Sequence, residues 1–303
     1  MRAATPDRPY SKRYDLSAER TPQFFIFHVS FFILQKEGAP LPASYTHYCF
    51  GRDVLAALPP SLQARIAPCR QLFDIGIHGP DVFFYNHPLT KNPVNRMGYA
   101  MHDQPGRTVF RRFAALDDGS DGAFAYLAGF LCHFALDSSC HGYVEQMVAQ
   151  GVSHCRLETQ LDRCFLLADG EDPVTRDPVA HLRPTAENAR IMAAFFPQAT
   201  ERQVQGALAQ MVFFHHLLMA KSAPKRALLD GVFTVMKAKD GFGAMVMTRE
   251  DDPVCRPMVR HLRELYEAAV PLAAALIEAY PDLSHPQYRL DFEGQAHDLS
   301  ADC

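Results

Sequence analysis

The stretch His133-Phe-Ala-Leu-Asp137-Ser-Ser-Cys-His141 lies inside a long apolar segment, residues 121–150. In an α-helix the i, i+4 and i+8 positions fall on one stripe, with about 40° between successive side chains. The side chains that flank the stripe are Phe124, Tyr126, Leu127, Phe130, Leu131 and Phe134. This pattern predicts a buried helix, in which several ionisable groups would be costly to desolvate without a cation.

A second helical pattern follows over residues 153–168. It begins with His154-Cys-Arg-Leu-Glu158, another i, i+4 pair, and twelve residues separate His141 from His154. A single His-x3-Asp pair is more often a surface pair or a satisfied buried histidine than a metal site. Here three histidines, one aspartate and one glutamate lie in register on two consecutive helices. Such a set favours a metal site of the kind that zinc accepts, and we expect the two helices to be adjacent and buried.

Helical periodicity dominates the chain from residue 41 onward, and strand patterns are scarce. The further predicted helices cover residues 44–58, 188–196, 201–221, 225–237 and 253–280. Residues 71–105 are rich in Gly, Pro and Asn and predict a long functional loop region. The prediction is an all-α fold, a single multi-helix domain over residues 41–280, followed by an irregular C-terminal tail over residues 281–303.

The composition limits the partners. The net charge is -4, so no global field attracts long nucleic acid or an anionic membrane, and no basic stripe carries interleaved aromatic residues. No apolar run reaches the ~20 residues of a transmembrane helix. Fourteen histidines favour metal chemistry. The eight cysteines form no CxxC pair, which favours buried free thiols over a disulfide framework.

The first forty residues do not resemble the rest. The apolar run Phe24–Leu34 has the length of a signal-peptide core, but an unusually long segment of mixed charge that contains acids precedes it, and a poor cleavage site follows. Lys36-Glu37-Gly38 can be encoded by a bacterial ribosome-binding sequence, and Leu41 follows at the distance of a start codon. We therefore predict that residues 1–40 are translated leader and that the protein is cytoplasmic. Secretion with a signal peptide is the alternative.

The order His-x3-Asp-x3-His and then His-x3-Glu resembles the zinc-dependent phospholipase C family, to which the fungal single-strand nucleases are more distantly related. The resemblance covers roughly residues 41–170 and is supported by Ser44-Tyr-Thr-His47, Asp74-Ile-Gly-Ile-His-Gly-Pro-Asp81 and Gly98-Tyr-Ala-Met-His102. It implies a helical fold with a trinuclear zinc site, two or three Zn2+ ions, at the base of a cleft.

The resemblance also implies the ligands. The first ion would be held by Asp81, His102, His133 and Asp137. The second would be held by His141, His154 and Glu158 and would share Asp81. The third would be held by His47 and Asp137. Secreted relatives complete the third position with an N-terminal tryptophan, and this chain has no Trp. If translation starts at Leu41, the amine of Pro42 could take that place.

Three further residues are candidates for contacts with substrate or with the ligands: His78, Tyr85 and His87, the last also as a replacement for His102. His215 and His216 are predicted as packing or surface residues, and His181 carries no signal. The implied function is hydrolysis of a phosphodiester or phosphomonoester, small or lipid-like, by a metal-activated water that Asp81 orients or deprotonates. The alternatives are a metal-dependent nuclease or nucleotidase, and a non-catalytic metal-binding domain of the same fold.

Overall fold

The computed structural model describes residues 43–88 and 90–298, and helices make up most of them. The α-helices are α1 (Ser44–Ala57), α2 (Pro60–Ile66), α3 (Arg70–Gly76), α4 (Pro93–His102), α5 (Gly106–Leu116), α6 (Asp121–Ala149), α7 (His154–Ala168), α8 (Ala186–Ala194), α9 (Glu201–Leu218), α10 (Ala223–Val235) and α11 (Arg256–Ala279). Short 3-10 helices cover Ala67–Cys69, Gly79–Tyr85, Phe242–Met245 and Pro286–Arg289. Within the described residues the β-pairing is one isolated bridge, Leu290 to Ala296. The all-α prediction is confirmed.

Helix α6 is the centre of the molecule. The Ser120 side chain caps its N-terminus by accepting a hydrogen bond from the backbone N–H of Ala123. Helices α1, α3, α7 and α11 pack around it. It is the one helix of the described part that is long and apolar enough to cross a membrane, and 94% of its most apolar 18-residue window is buried within the protein. Its apolar side chains therefore form the core.

The contact between α3 and α6 is unusually close because both helices have a glycine where they meet. A Cβ atom on Gly129 would lie 2.2 Å from the Phe73 carbonyl oxygen, and one on Gly76 would lie 2.2 Å from the Tyr126 carbonyl oxygen. The backbones therefore touch, which places the residues after α3 directly against α6. Those residues include the 3-10 helix Gly79–Tyr85.

The prediction of a long loop over residues 71–105 was wrong. Most of this region is helical: α3 ends at Gly76, a 3-10 helix follows, and α4 occupies Pro93–His102. Two of the prolines that suggested a loop, Pro80 and Pro93, lie in the first turn of these helices, where proline loses no hydrogen bond. Asn92 adds a capping box with Asn95 at the start of α4.

The segment after α11 is irregular but well packed. Tyr288 and Phe292 are fully buried, and both rings contact Phe134 of α6. The backbone N–H of Phe292 donates to the His102 carbonyl oxygen. Residues 283–298 therefore form part of the core beside α6, rather than a free tail.

Residues 1–42, Leu89 and residues 299–303 lie outside the described part of the chain. The translated leader, the start at Leu41 and the approach of Pro42 to His47 all fall there. These three, together with the cytoplasmic location that depends on them, stay predictions.

Candidate metal centre

Two groups of potential metal ligands lie beside each other in the core. In each group the ligand atoms are all within 4.8 Å of one another. The first group comprises His47, Asp81, His133 and Asp137, all buried. The second group comprises His141, His154 and Glu158. All seven are residues that the sequence analysis assigned as ligands.

Four elements bring these side chains together. Helix α6 supplies the i, i+4, i+8 stripe, and α7 supplies the His154 and Glu158 pair that faces it. Helix α1 supplies His47, and the 3-10 helix after α3 supplies Asp81. The two helices are adjacent, as predicted, and α6 is buried, but α7 buries only the face that includes Leu157, Glu158 and Leu161.

Asp137 is the central carboxylate of the first group. Its Oδ1 lies 3.3 Å from His47 Nε2, and its Oδ2 lies 3.0 Å from His133 Nε2. Asp81 approaches from the other side, with Oδ2 4.0 Å from His133 Nδ1. Gly79 has φ +49°, and a Cβ atom there would lie 2.1 Å from His133 Cδ2. Only glycine therefore lets the turn before Asp81 cross the His133 ring.

The second group is joined to the first through His141. Its Nε2 lies 3.8 Å from Glu158 Oε1 and 3.9 Å from Asp137 Oδ1. His154 Nε2 lies 3.1 Å from the same Glu158 oxygen. Zinc bonds of about 2.0–2.2 Å place two ligand atoms of one ion roughly 3–4 Å apart, so these separations suit a cation.

Three histidines share an orientation that metal ligands commonly have. The Nδ1 atom of His102 lies 3.1 Å from the Gly98 carbonyl oxygen, that of His141 lies 3.2 Å from Glu293 Oε2, and that of His154 lies 3.3 Å from Glu145 Oε1. A carbonyl or carboxylate oxygen can only accept a hydrogen bond, so each Nδ1 must carry the hydrogen. A neutral ring then directs its Nε2 lone pair at a carboxylate inside the site. A proton or a cation has to lie between them.

His102 lies next to the first group, not within it. Its Nε2 is 3.0 Å from Asp81 Oδ1, and its ring is buried at the C-terminal end of α4. Burial lowers the pKa of His102, but the hydrogen bond and charge of Asp81 outweigh it and raise the pKa overall. His102 is thus placed to bind a metal jointly with Asp81 or to orient that carboxylate.

Several buried ligand atoms have no partner in hydrogen-bond geometry, although carboxylate oxygens lie 3.0 Å from His133 Nε2 and 3.1 Å from His154 Nε2. These ligand atoms are His47 Nδ1, both ring nitrogens of His133, His154 Nε2 and Glu158 Oε2. Buried polar atoms are nearly always satisfied in folded proteins, because an unpaired one costs about 1–3 kcal/mol. Imidazole nitrogens and carboxylate oxygens are ligands that zinc accepts. The residues present therefore fit zinc.

The electrostatics of the second group favour a bound cation. Burial raises the pKa of Glu158, but His154 and His141 outweigh it and lower the pKa to about 2. Burial lowers the pKa of His154, but Glu158 and Glu145 outweigh it and raise the pKa to about 9. The carboxylate is therefore ionised, and protons held by the imidazoles occupy the place that a metal would take.

The three other predicted residues lie at different distances from the centre. His78 is fully buried, and its Nε2 lies 2.7 Å from His181 Nε2. The Tyr85 hydroxyl lies 3.1 Å from His215 Nε2. His87 is exposed, and its backbone N–H donates to Gln210 Oε1, so its described contacts are outside both groups.

Sequence reasoning missed His181 and His215. Burial lowers the pKa of His181 to about 3 and that of His215 to about 4, so both are neutral. His181 stacks on His78, and the centre of the His78 ring lies 6.4 Å from that of His47. His215 Nε2 lies 3.0 Å from Ser44 Oγ. Neither had a local spacing signal, because their partners are remote in the chain.

Asp162 was also missed, although it continues the i, i+4 series after Glu158. It accepts hydrogen bonds from the backbone N–H groups of Tyr45 at 3.2 Å and Thr46 at 2.7 Å, and from the Thr46 hydroxyl at 2.7 Å. It thus caps the N-terminus of α1 from α7. Burial raises the pKa of Asp162 to about 6. This contact fixes the helix that carries His47 relative to the helix that carries Glu158.

A small cleft borders the second group at Glu158. Its cavity volume is about 50 Å³, and Glu158 and Asp162 form part of its wall. Most of the remaining wall is apolar: Leu166, Val174, Leu218, Met219, Met245 and Met247. Thr159, Arg176 and His215 supply its other polar side chains. The wall of the cleft therefore combines a carboxylate of the second ligand group with apolar side chains.

The family model for zinc dependent phospholipase C matches residues 46–202. This range is just over half of the chain and contains both ligand groups and His102. Searches of curated proteins and of solved structures gave no significant match. Both the family match and the geometry of the buried ligands lead to one conclusion: the chain belongs to the zinc-dependent phospholipase C family.

Proposed function

We propose that this protein is a zinc-dependent phosphoric ester hydrolase that cleaves a small or lipid-like phosphodiester or phosphomonoester with water. The observation that carries the proposal is the chain of contacts from His47 through Asp137 and His141 to Glu158. It joins two ligand groups into one buried centre, and the second group borders the cleft.

Bound zinc would polarise the phosphoryl oxygens and lower the pKa of a nearby water. The protein's own part is to orient and to accept a proton. Asp81 suits this role, because its two oxygens face different histidines: Oδ1 lies 3.0 Å from His102 Nε2, and Oδ2 lies 4.0 Å from His133 Nδ1. We assign Asp81 as the group that orients or deprotonates the attacking water.

The cleft supplies the substrate contacts. Arg176 lies in its wall, and the buried Nε of this side chain has no hydrogen-bond partner. A guanidinium suits the negative charge of a phosphate ester. The surrounding leucine and methionine side chains would contact the apolar portion of the substrate.

The experiment measures hydrolysis of a panel of p-nitrophenyl phosphodiesters, monoesters and phosphorylcholine by the purified chain. Each substrate is assayed before chelation, after chelation and after zinc is restored. We expect hydrolysis that chelation abolishes and zinc restores. Asp81→Asn should lower kcat/KM by at least about 100-fold, the low end for loss of a general base. Asp103→Asn, an exposed carboxylate next to His102, is the matched control and should have little effect.

The same panel separates the alternatives. A nuclease or nucleotidase would prefer single-stranded DNA or nucleoside monophosphates over the other esters. A non-catalytic metal-binding domain would hold zinc and hydrolyse none of them. That last result, obtained with fully zinc-loaded protein, would contradict the proposed function.

A further inference from the structure

Residues 213–247, which we call the α9–α10 segment, differ in charge from the rest of the chain. They include five Lys or Arg and two Asp, a net charge of +3, whereas the whole chain has -4. The segment comprises the end of α9, all of α10 and the 3-10 helix Phe242–Met245. Global charge therefore hides one locally basic region.

The α9–α10 segment also exposes apolar side chains. Four of the six large hydrophobic residues that are exposed in the described part of the chain lie here: Phe213 (59%), Leu217 (37%), Leu228 (65%) and Val235 (72%). Isolated exposed hydrophobic residues are normal, but such a concentration marks an interaction surface.

Helix α10 has one inward face and one outward face. Phe233 is its one buried residue, and it packs with Met236 and Ala238 in a small separate cluster. The outward face carries Leu228 and Val235, which are seven residues apart and so lie on the same side of the helix. Gly231, also exposed, lies between them. The outward face is therefore an uncharged stripe about two turns long.

Basic side chains flank this stripe along the chain. Lys221 is exposed just before α10, and Lys237 is exposed just after it. Lys239 is paired with Asp230 at 2.9 Å. These two charges cancel, so the excess positive charge of the segment comes from its other basic residues. An apolar stripe with cations at its ends is the pattern of a helix that lies in the interface of an anionic lipid bilayer.

The same segment forms one wall of the cleft. Leu218, Met219, Met245 and Met247 line the cleft that borders Glu158, while Leu228 and Val235 face solvent. We propose that the outward face of α10 is a docking surface for an anionic lipid bilayer. Docking there would hold the wall of the cleft at the membrane, next to amphiphilic molecules. The surface is defined independently of the proposed hydrolysis.

The test measures how much of the full chain sediments with lipid vesicles. One set of vesicles contains phosphatidylcholine alone, and the other contains phosphatidylcholine mixed with phosphatidylglycerol. A chelator is present, so that the protein hydrolyses no lipid during the measurement. We expect binding to the anionic vesicles that weakens with salt. Leu228→Glu combined with Val235→Glu should weaken it by at least about tenfold, because two apolar contacts are lost and two negative charges are added. Lys221→Glu should weaken it roughly fivefold or more.

Val254→Glu is the matched control. Val254 is 52% exposed but lies outside the segment, so its substitution should leave vesicle binding nearly unchanged. Hydrolysis of a soluble p-nitrophenyl ester should persist in the Leu228→Glu/Val235→Glu variant, which shows that folding and the metal centre are intact. Loss of vesicle binding with retained soluble activity supports the surface.

Three results would overturn the docking proposal. One is no binding of the wild-type chain to anionic vesicles, and another is equal binding to neutral and anionic vesicles. The third is a wild-type dimer that the double substitution converts to a monomer in light scattering, because the stripe would then be an interface between two copies. Vesicle binding by a chain that cleaves no ester would contradict the proposed function and leave the docking surface standing.

Discussion

His141 Nε2 lies 3.8 Å from Glu158 Oε1 across the interface between α6 and α7. The same nitrogen lies 3.9 Å from Asp137 Oδ1, one turn earlier on α6. One imidazole therefore faces the carboxylates of both ligand groups. Because its two partners belong to different helices, the packing of α7 on α6 sets the geometry of the whole metal centre.

Glu293 should be a positioning residue for His141. It lies far outside residues 46–202, which the family model matches. Its carboxylate accepts a hydrogen bond from His141 Nδ1 at 3.2 Å. Outer partners of this kind typically change metal affinity by about 10–100-fold when they are removed. We expect a fall of that size for Glu293→Ala, measured by zinc competition with a chromogenic chelator, and partial recovery in Glu293→Gln, which keeps an acceptor oxygen.

Glu264 offers the control for that experiment. It accepts from His261 Nδ1 at 3.0 Å, the same kind of pair on the exposed surface of α11. Glu264→Ala should leave zinc affinity unchanged. Equal affinities for the wild type and Glu293→Ala would show that residues 283–298 contribute packing alone.

The close contact of α3 with α6 should make Gly129 sensitive to substitution. A Cβ atom there would overlap the Phe73 carbonyl oxygen, so Gly129→Ala should lower the free energy of unfolding by about 1–3 kcal/mol or more. Gly142 lies on the same helix, and outside its chain neighbours and the adjacent helix backbone nothing lies within 4 Å of the position that a Cβ atom would take there. Gly142→Ala should therefore be neutral or stabilising by up to about 1 kcal/mol. Chemical denaturation of both variants checks the contrast, and equal effects would contradict the close packing.

The stability of the zinc-free protein should depend on pH through His154 and Glu158. The pKa of His154 is raised from 6.5 to about 9. Its contribution to the free energy of unfolding is therefore complete below pH 6.5 and is lost as the pH rises toward 9. The pKa of Glu158 is lowered from 4.5 to about 2, so its contribution is complete above pH 4.5 and is lost as the pH falls toward 2. We expect this pair to stabilise the fold most between these limits.

Denaturation in chelator across this pH range measures that dependence. His154→Gln should remove the decline in stability between pH 6.5 and 9 that His154 causes. A decline of the same size in the variant would mean that other groups produce it.

Asp162 should stabilise α1 and, through it, the position of His47. Asp162→Ala removes the cap on the Tyr45 and Thr46 N–H groups, and loss of a cap typically costs about 0.5–2 kcal/mol. Asp162→Asn keeps an acceptor oxygen and should cost less. Thermal denaturation gives the stabilities. If Asp162→Ala were as stable as the wild type, the cap would not hold α1 in place.

The residues that could be predicted from the sequence are those with a local pattern. Asp137 lies four residues from both His133 and His141, so one helical period predicted their shared stripe, and His154 with Glu158 followed the same rule. The all-α class followed from the same periodicity. Each of these relationships lies within one or two consecutive helices.

The residues that could not be predicted meet their partners over long sequence separations. Glu293 is 152 residues from His141, and His215 is 130 residues from Tyr85. No spacing rule connects such pairs, because the packing of several helices brings them together. The helical state of residues 71–105 was missed for a different reason: proline suits a first helical turn as well as a loop.

The number of zinc ions bound per chain tests the central claim most directly. It can be measured by elemental analysis of zinc-loaded protein after gel filtration, with Glu158→Ala as the comparison. We expect two or three ions in the wild type, because two ligand groups lie side by side. We expect one fewer in the variant, in which the first group is intact. A wild-type protein that binds no zinc or one ion, or a count that Glu158→Ala leaves unchanged, would contradict the account.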